Sequence, residues 1–139
     1  MIMKLCSACL LGVKCRYDGK SKPNEKVLAL SKKEVLIPIC PEQFGGLPTP
    51  REPSEQLGNE VITKTGKSVT NNFQNGAEEV LKLAKLFNIK EAILKQRSPS
   101  CGSGQIYDGT FSGTIINGDG VTTALLKRNG IKVISEEDL

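Results

Sequence analysis

Five cysteines and no histidine set the chemistry open to this 139-residue chain. Without His, the Ser-His-Asp triad, the Cys-His dyad and imidazole-liganded zinc are all excluded. The cysteines are Cys6, Cys9, Cys15, Cys40 and Cys101. Their odd number argues against a disulfide framework, as does an opening Met1-Ile2-Met3-Lys4-Leu5 too short and broken for a secretory signal. A free Cys is otherwise a small buried hydrophobe, which suits Cys6 inside an apolar run. Cys9, Cys40 and Cys101 differ, because each stands in a loop-like setting at the end of such a run.

The elements that must position them alternate. A strand-like run ends at residue 6, and Ser7–Gly12 follows as a loop closed by a turn residue. Arg16-Tyr17-Asp18-Gly19 is a second turn, with Asp-Gly at the bend. Asn24 caps a short helix reaching about Ser31, with Val27, Leu28 and Ser31 on one side. Val35-Leu36-Ile37-Pro38-Ile39 reads as a strand buried on both faces, and it delivers Cys40. Residues 41–53 hold four prolines and two glycines, which predicts a long, stiff loop of the kind that is functional in compact domains.

The clearest helix follows, capped by Asn71 or Asn72. Ala77, Val80, Leu81, Ala84 and Phe87 form its inward stripe, and Glu78 faces Lys82 outside. Residues 91–95 read as a strand ending before Ser98-Pro99-Ser100-Cys101-Gly102. The segment Gly113–Gly120 is turn-rich. Val121–Asn129 suits a last helix spaced by Val121, Ala124, Leu125 and Arg128, with Gly130 as its C-cap signal. Residues 131–134 close as a strand. This alternation predicts one α/β domain, Rossmann-like and three-layered, with a mostly parallel sheet of four or five strands between helices. In such sheets the ligand site lies beyond the carboxyl ends of the strands, where Cys9, Cys40 and Cys101 all fall.

Three converging thiolates suit a soft metal or an iron–sulfur cluster. Zinc would need a fourth ligand from Cys6 or Cys15, and Cys6 with Cys9 makes only one C-x-x-C pair. From spacing alone, a cluster, zinc and no metal all stay open. A three-cysteine cubane would leave one iron open to substrate.

The motifs carry a resemblance. Ser7-Ala8-Cys9-Leu10-Leu11-Gly12, Arg16-Tyr17-Asp18-Gly19, Cys40-Pro41-Glu42, Gly45-Gly46-Leu47-Pro48-Thr49-Pro50-Arg51, Ser98-Pro99-Ser100-Cys101-Gly102 and Gly118-Asp119-Gly120-Val121 occur in this order. The chain resembles the thiouracil desulfurase family, small bacterial iron–sulfur domains, over essentially its whole length of 1–139. The resemblance implies a [4Fe–4S] cluster on Cys9, Cys40 and Cys101. It also implies non-redox conversion of a 2-thiouracil-like base to the oxo base and sulfide. Water attack on the thiocarbonyl carbon needs an acid–base group, and carboxylates are the candidates. Glu42 lies two residues from Cys40, and Asp18 sits in a turn that could fold back. Ser98 and Ser100 could hold the base or the water. Arg51 and Ser7 are substrate-binding candidates, whereas Cys6 and Cys15 are unmatched to the ligand set. Two alternatives stand beside this reading: a zinc- or cluster-stabilised binding domain without chemistry, and an RNA-linked sulfur enzyme.

Composition fits a small domain with a real core. Val, Ile, Leu and Phe make up about 27% of the chain, above the roughly 20% at which disorder becomes the better guess. No run approaches the 18 or so apolar residues of a membrane span. A net charge of +4 is dispersed, which gives nucleic-acid binding little support. Aromatics are 4% with no Trp, so stacking platforms for nucleobases, as in single-strand binders, are poorly supplied. The expected setting is cytoplasmic. No oligomeric state is specified.

Overall fold

A computed structural model describes all residues, Met1–Leu139. Its centre is a four-stranded, wholly parallel sheet of β1 (Met3–Ser7), β2 (Val35–Ile39), β5 (Glu91–Leu94) and β8 (Lys132–Ser135). The spatial order is β2-β1-β5-β8. Period-2 alternation sends Leu5, Ala92, Leu94 and Val133 to one face, while Cys6 and Ile93 go to the other. The first face is covered by α3 (Thr70–Leu86) and α4 (Val121–Arg128), through Val80, Ala84 and Leu126. The second is covered by α1 (Glu25–Leu30) and a 3₁₀ turn at Ala8–Leu11, through Val27 and Leu10. Helices therefore lie on both faces, and the three-layer α/β reading holds.

Several local expectations change. β2 is an edge strand, with only Ile39 buried. Pro38 tolerates its place there because an edge amide needs no ladder partner. The stiff loop opens with a helical turn, α2 (Pro41–Phe44), started by proline at its first position. Two hairpins went unread. β3 (Ser54–Leu57) and β4 (Glu60–Thr63) turn on Gly58-Asn59, while β6 (Gln105–Tyr107) and β7 (Ile115–Asn117) enclose a seven-residue loop, and β7 occupies the middle of the turn-rich segment Gly113–Gly120.

The helices shift too. α3 begins earlier than expected, with Val69 at its N-cap, so Asn71 and Asn72 are interior. Its buried aromatic is Phe73, not the half-exposed Phe87, and Lys82 pairs with Glu79 rather than Glu78. α1 keeps its Asn24 cap, whose side chain accepts from the Lys26 and Val27 amides, but Leu28 faces solvent. In α4 the inward residues are Thr122, Thr123 and Leu126, one step round from the expected stripe. Gly130, at φ 77°, is the left-handed stop. No helix is long and apolar enough to cross a membrane.

A thiol-lined candidate active site

The chain leaves β1 for β2 on one side and later places β5 on the other side of β1. Connections that diverge in this way open a crevice at the carboxyl ends of the strands. Here it is a cleft of about 570 Å³. Ser7 at the end of β1 accepts a hydrogen bond from the Lys95 amide at 2.9 Å, closing the β1–β5 seam at its floor.

Each thiol reaches the cleft by its own device. Cys9 sits in the 3₁₀ turn after β1, whose Cys9 and Leu10 carbonyls accept from the amides of Lys22 and Asn24 at 2.9 and 3.0 Å. Cys40 is the N-cap of α2, straight off β2. Cys101 follows β5 in a loop knotted by the Ser98 hydroxyl, which accepts from the Ser100 and Cys101 amides at 3.1 and 3.0 Å. The first amides of α4 hold that loop from behind. Val121 and Thr122 donate to the Pro99 and Ser100 carbonyls at 3.0 and 2.9 Å, and the Thr123 hydroxyl donates to the Cys101 carbonyl at 2.8 Å. A side chain on Gly120 would collide with the Ser100 backbone. That close approach explains the second glycine of Gly118-Asp119-Gly120, while the first lies against the Ile106 side chain.

The α2 turn is docked as closely. A Cβ on Gly45 would strike the Asn72 carbonyl of α3, and one on Gly76 would strike the Pro41 carbonyl. Asn72 donates its side-chain amide to the Gly45 carbonyl at 2.8 Å. Two glycines thus let α2 lie backbone to backbone on α3, and Glu42 is carried into the cleft wall.

The cleft brings together Cys9, Cys40, Cys101, Ser7, Glu42, Arg51 and Ser98. It does not include Ser100 or Asp18. Ser100 is fully buried, its hydroxyl 2.8 Å from that of Thr122. Asp18 stays local, accepting the Lys20 amide at 3.0 Å and standing 3.6 Å from Arg16. Arg51 is less free than a substrate ligand should be. Its Nε donates to Glu42 at 3.0 Å, Nη1 to the Pro48 carbonyl and Thr49 hydroxyl, and Nη2 to the Cys15 carbonyl at 2.9 Å. Four of its five donors are thus engaged, one of them on Glu42.

Cys15, unmatched to the implied ligand set, is nonetheless brought to the site. It lines the cleft, buried, and its carbonyl lies 3.7 Å from the Cys40 sulfur. The signal was the Arg16–Gly19 turn, which folds the chain back so that Lys22 meets Cys9. Cys6, by contrast, is fully buried in β1 outside the cleft.

Burial and neighbouring thiols set the thiol electrostatics. Burial pushes Cys6 and Cys101 each up to about 12, with the Ser7 and Ser98 hydroxyls beside Cys101 opposing the rise. The Cys40 thiol favours ionisation of Cys15, but Cys9 and burial outweigh it, to about 11. Cys40 is raised further by the Cys15 thiol and by burial. Thiols held protonated in this way release protons when a metal centre takes them. No three Cys, Asp or Glu side chains come close enough to hold a single metal ion. Soft thiols are the donor type that iron–sulfur clusters take.

A doubly wound domain that gathers soft thiols and the Arg51-held carboxylate of Glu42 at its switch point is built for sulfur or soft-metal chemistry. The chain belongs to the 2-thiouracil desulfurase family, whose model matches residues 5–138. It is 46% identical to the uncharacterized protein YbbK of Bacillus subtilis (strain 168), an alignment covering 99% of this chain and 97% of that one. A solved structure described as the [4Fe-4S]-dependent thiouracil desulfidase TudS matches with a TM-score of 0.94 at 48% identity. That match covers 100% of this chain and 93% of the other.

Proposed function

We propose that this enzyme removes sulfur from a thiolated nucleobase of the 2-thiouracil kind, at a [4Fe–4S] cluster held by Cys9, Cys40 and Cys101. The balance is hydrolytic: the thiocarbonyl and one water give the oxo base and hydrogen sulfide, with no electron gained or lost. The carrying observation is that three strand ends and one helical turn deliver those thiols and Glu42 to a single cleft. When bound by only three thiolates, such a cluster supplies one iron as a soft Lewis acid for sulfur.

The chain's own groups supply the rest. Glu42 Oε1 is tied to Arg51, which leaves its other oxygen to take the proton of the attacking water and return it to the departing sulfur. The Ser98 oxygen already accepts two amides, so its proton is free to be donated to the base. Ser7, fixed by the Lys95 amide, offers a second hydroxyl at the floor. All five cysteines are free, which suits the reducing cytoplasm as the place of work. The substrate is a small molecule, for the cleft is sized for a base and a cofactor rather than a duplex.

Anaerobic reconstitution with iron and sulfide tests the reading. A brown protein with about four irons and four sulfides that frees sulfide from 2-thiouracil supports it. A loaded protein that leaves thiouracil intact overturns the catalytic reading, and colourless protein with stoichiometric zinc overturns the cluster.

A further inference from the structure

The cleft wall opposite the sheet is built by the two hairpins, and one residue there adopts a backbone conformation its side chain does not favour. Phe111 has φ 55°, in the left-handed region that bulky residues rarely enter. Such conformations persist when surrounding structure imposes them, and they cluster at ligand clamps. The imposing group is Glu55 on β3. One of its carboxylate oxygens accepts both the Gly109 amide at 3.0 Å and the Phe111 amide at 3.1 Å. The loop is also braced from within, where hydrogen bonds link Asp108, Thr110, Ser112 and Thr114 side chain to side chain. β3 is in turn anchored to the thiol loop, because the Gln56 amide donates to the Pro99 and Asp119 carbonyls at 2.9 Å each.

These contacts place the Phe111 side chain at the cleft that Cys101, Cys40 and Cys9 line. Its neighbours Ser112, Gly113 and Thr114 are exposed, and Phe111 belongs to neither core cluster. Core packing therefore does not account for an aromatic ring in a left-handed position. Among the other aromatics at the cleft, Tyr17 already has the Arg16 guanidinium 5.7 Å above its ring, and Tyr107 is held in β6. We propose that Phe111 is the stacking surface for the substrate base, set in place by the Glu55 carboxylate, and that it selects planar heteroaromatic thiocarbonyls over aliphatic ones. This rests on the desulfurase reading and adds the residue that recognises the ring.

A ring that binds substrate and a ring that fills space respond oppositely to Phe111→Gly. Glycine suits φ 55°, so the reconstituted variant keeps or raises the parent melting temperature. Losing the stack raises KM for 2-thiouracil by about 5–150-fold, the range expected for one base on one aromatic, and the loss falls on KM more than on kcat. The Kd for uracil, the oxo product, weakens in parallel by calorimetry, and Phe111→Leu lies between parent and glycine. A KM and Kd within twofold of the parent overturn the proposal, as does a fall in melting temperature without a change in KM. If the parent itself frees no sulfide in the same assay, the desulfurase reading has failed, and this inference fails with it. Discrimination is tested with thiourea: the preference for 2-thiouracil over it shrinks in Phe111→Gly if the ring selects, and an unchanged preference overturns the selectivity.

Discussion

Arg51 Nε lies 3.0 Å from Glu42 Oε1, with the two side chains only 6% and 16% exposed. The same guanidinium donates to the Cys15 carbonyl, and the Arg51 amide donates to the Tyr17 carbonyl at 2.8 Å. One residue therefore ties the carboxylate of α2 to the loop that carries Cys9 and Cys15. Replacing it by Met strands Glu42 without its partner. Breaking so buried a pair from one side costs about 3 kcal/mol, to be read by chemical denaturation. Arg51→Lys keeps the charge but not the fork, and it is expected to recover less than half of that loss.

Glu42→Gln preserves shape and removes the proton carrier. Iron content is expected to match the parent, while turnover of 2-thiouracil falls by about 10²–10⁴-fold. Parent-rate turnover in the variant would demote Glu42 to a structural partner of Arg51.

Replacing Cys9, Cys40 or Cys101 by Ser is expected to abolish iron binding, since a hydroxyl is a poor ligand for iron in such a cluster. Cys6→Ser retains iron because its side chain packs outside the cleft. Cys15→Ala is the informative member. Retention of about four irons leaves Cys15 a neighbour of the ligands, and loss of iron makes it one of them. Iron and sulfide analysis after reconstitution reads all five.

Gly76→Ala reverses the usual sign of a helix substitution. In an unobstructed helix interior, alanine gains about 1 kcal/mol over glycine. Here the methyl would strike the Pro41 carbonyl, and overpacking costs about 1–3 kcal/mol. The variant should melt lower than the parent and turn over more slowly, because the displaced turn is the one that carries Glu42.

The metal-free protein should lose stability in alkali. Cys6 and Cys101 have an ordinary value of 9.0, and burial raises each to about 12. Between those values the folded state holds protons that the unfolded chain has released. The stabilisation is complete below pH 9 and declines as pH rises toward 12, by about 1.4 kcal/mol per pH unit for each thiol. Denaturation curves at pH 8, 9.5 and 11 measure it. In Cys6→Ala the pH dependence weakens by one thiol's share.

Much of the frame was legible in the sequence, because strand and helix periods are local properties. The runs at Val35–Ile39 and Glu91–Leu94 and the stripe through Ala77, Val80 and Ala84 each declare an element. Their alternation dictates a parallel sheet with its site at the carboxyl ends. The absence of His and the positions of Cys9, Cys40 and Cys101 narrow the chemistry before any coordinate is known. Even Gly58-Asn59, the turn of the first hairpin, was visible in the chain, though its short strands gave too weak an alternation to be read.

What only the tertiary structure decided depends on contacts between residues far apart in the chain. The edge position of β2 follows from strand order, at which Pro38 alone hinted locally. Ser98 and Ser100 have the same side chain two residues apart, yet only Ser98 meets the cleft, because Thr122 on α4 captures the other hydroxyl. The partners of Arg51, which are Glu42, Thr49 and the Cys15 carbonyl, come from three separate parts of the fold. The sparse aromatics were read as too few for stacking, but folding brings Tyr17, Tyr107 and Phe111 to one cleft. Long-range packing, here the grip of Glu55 on a loop more than fifty residues away, chooses where the few rings stand.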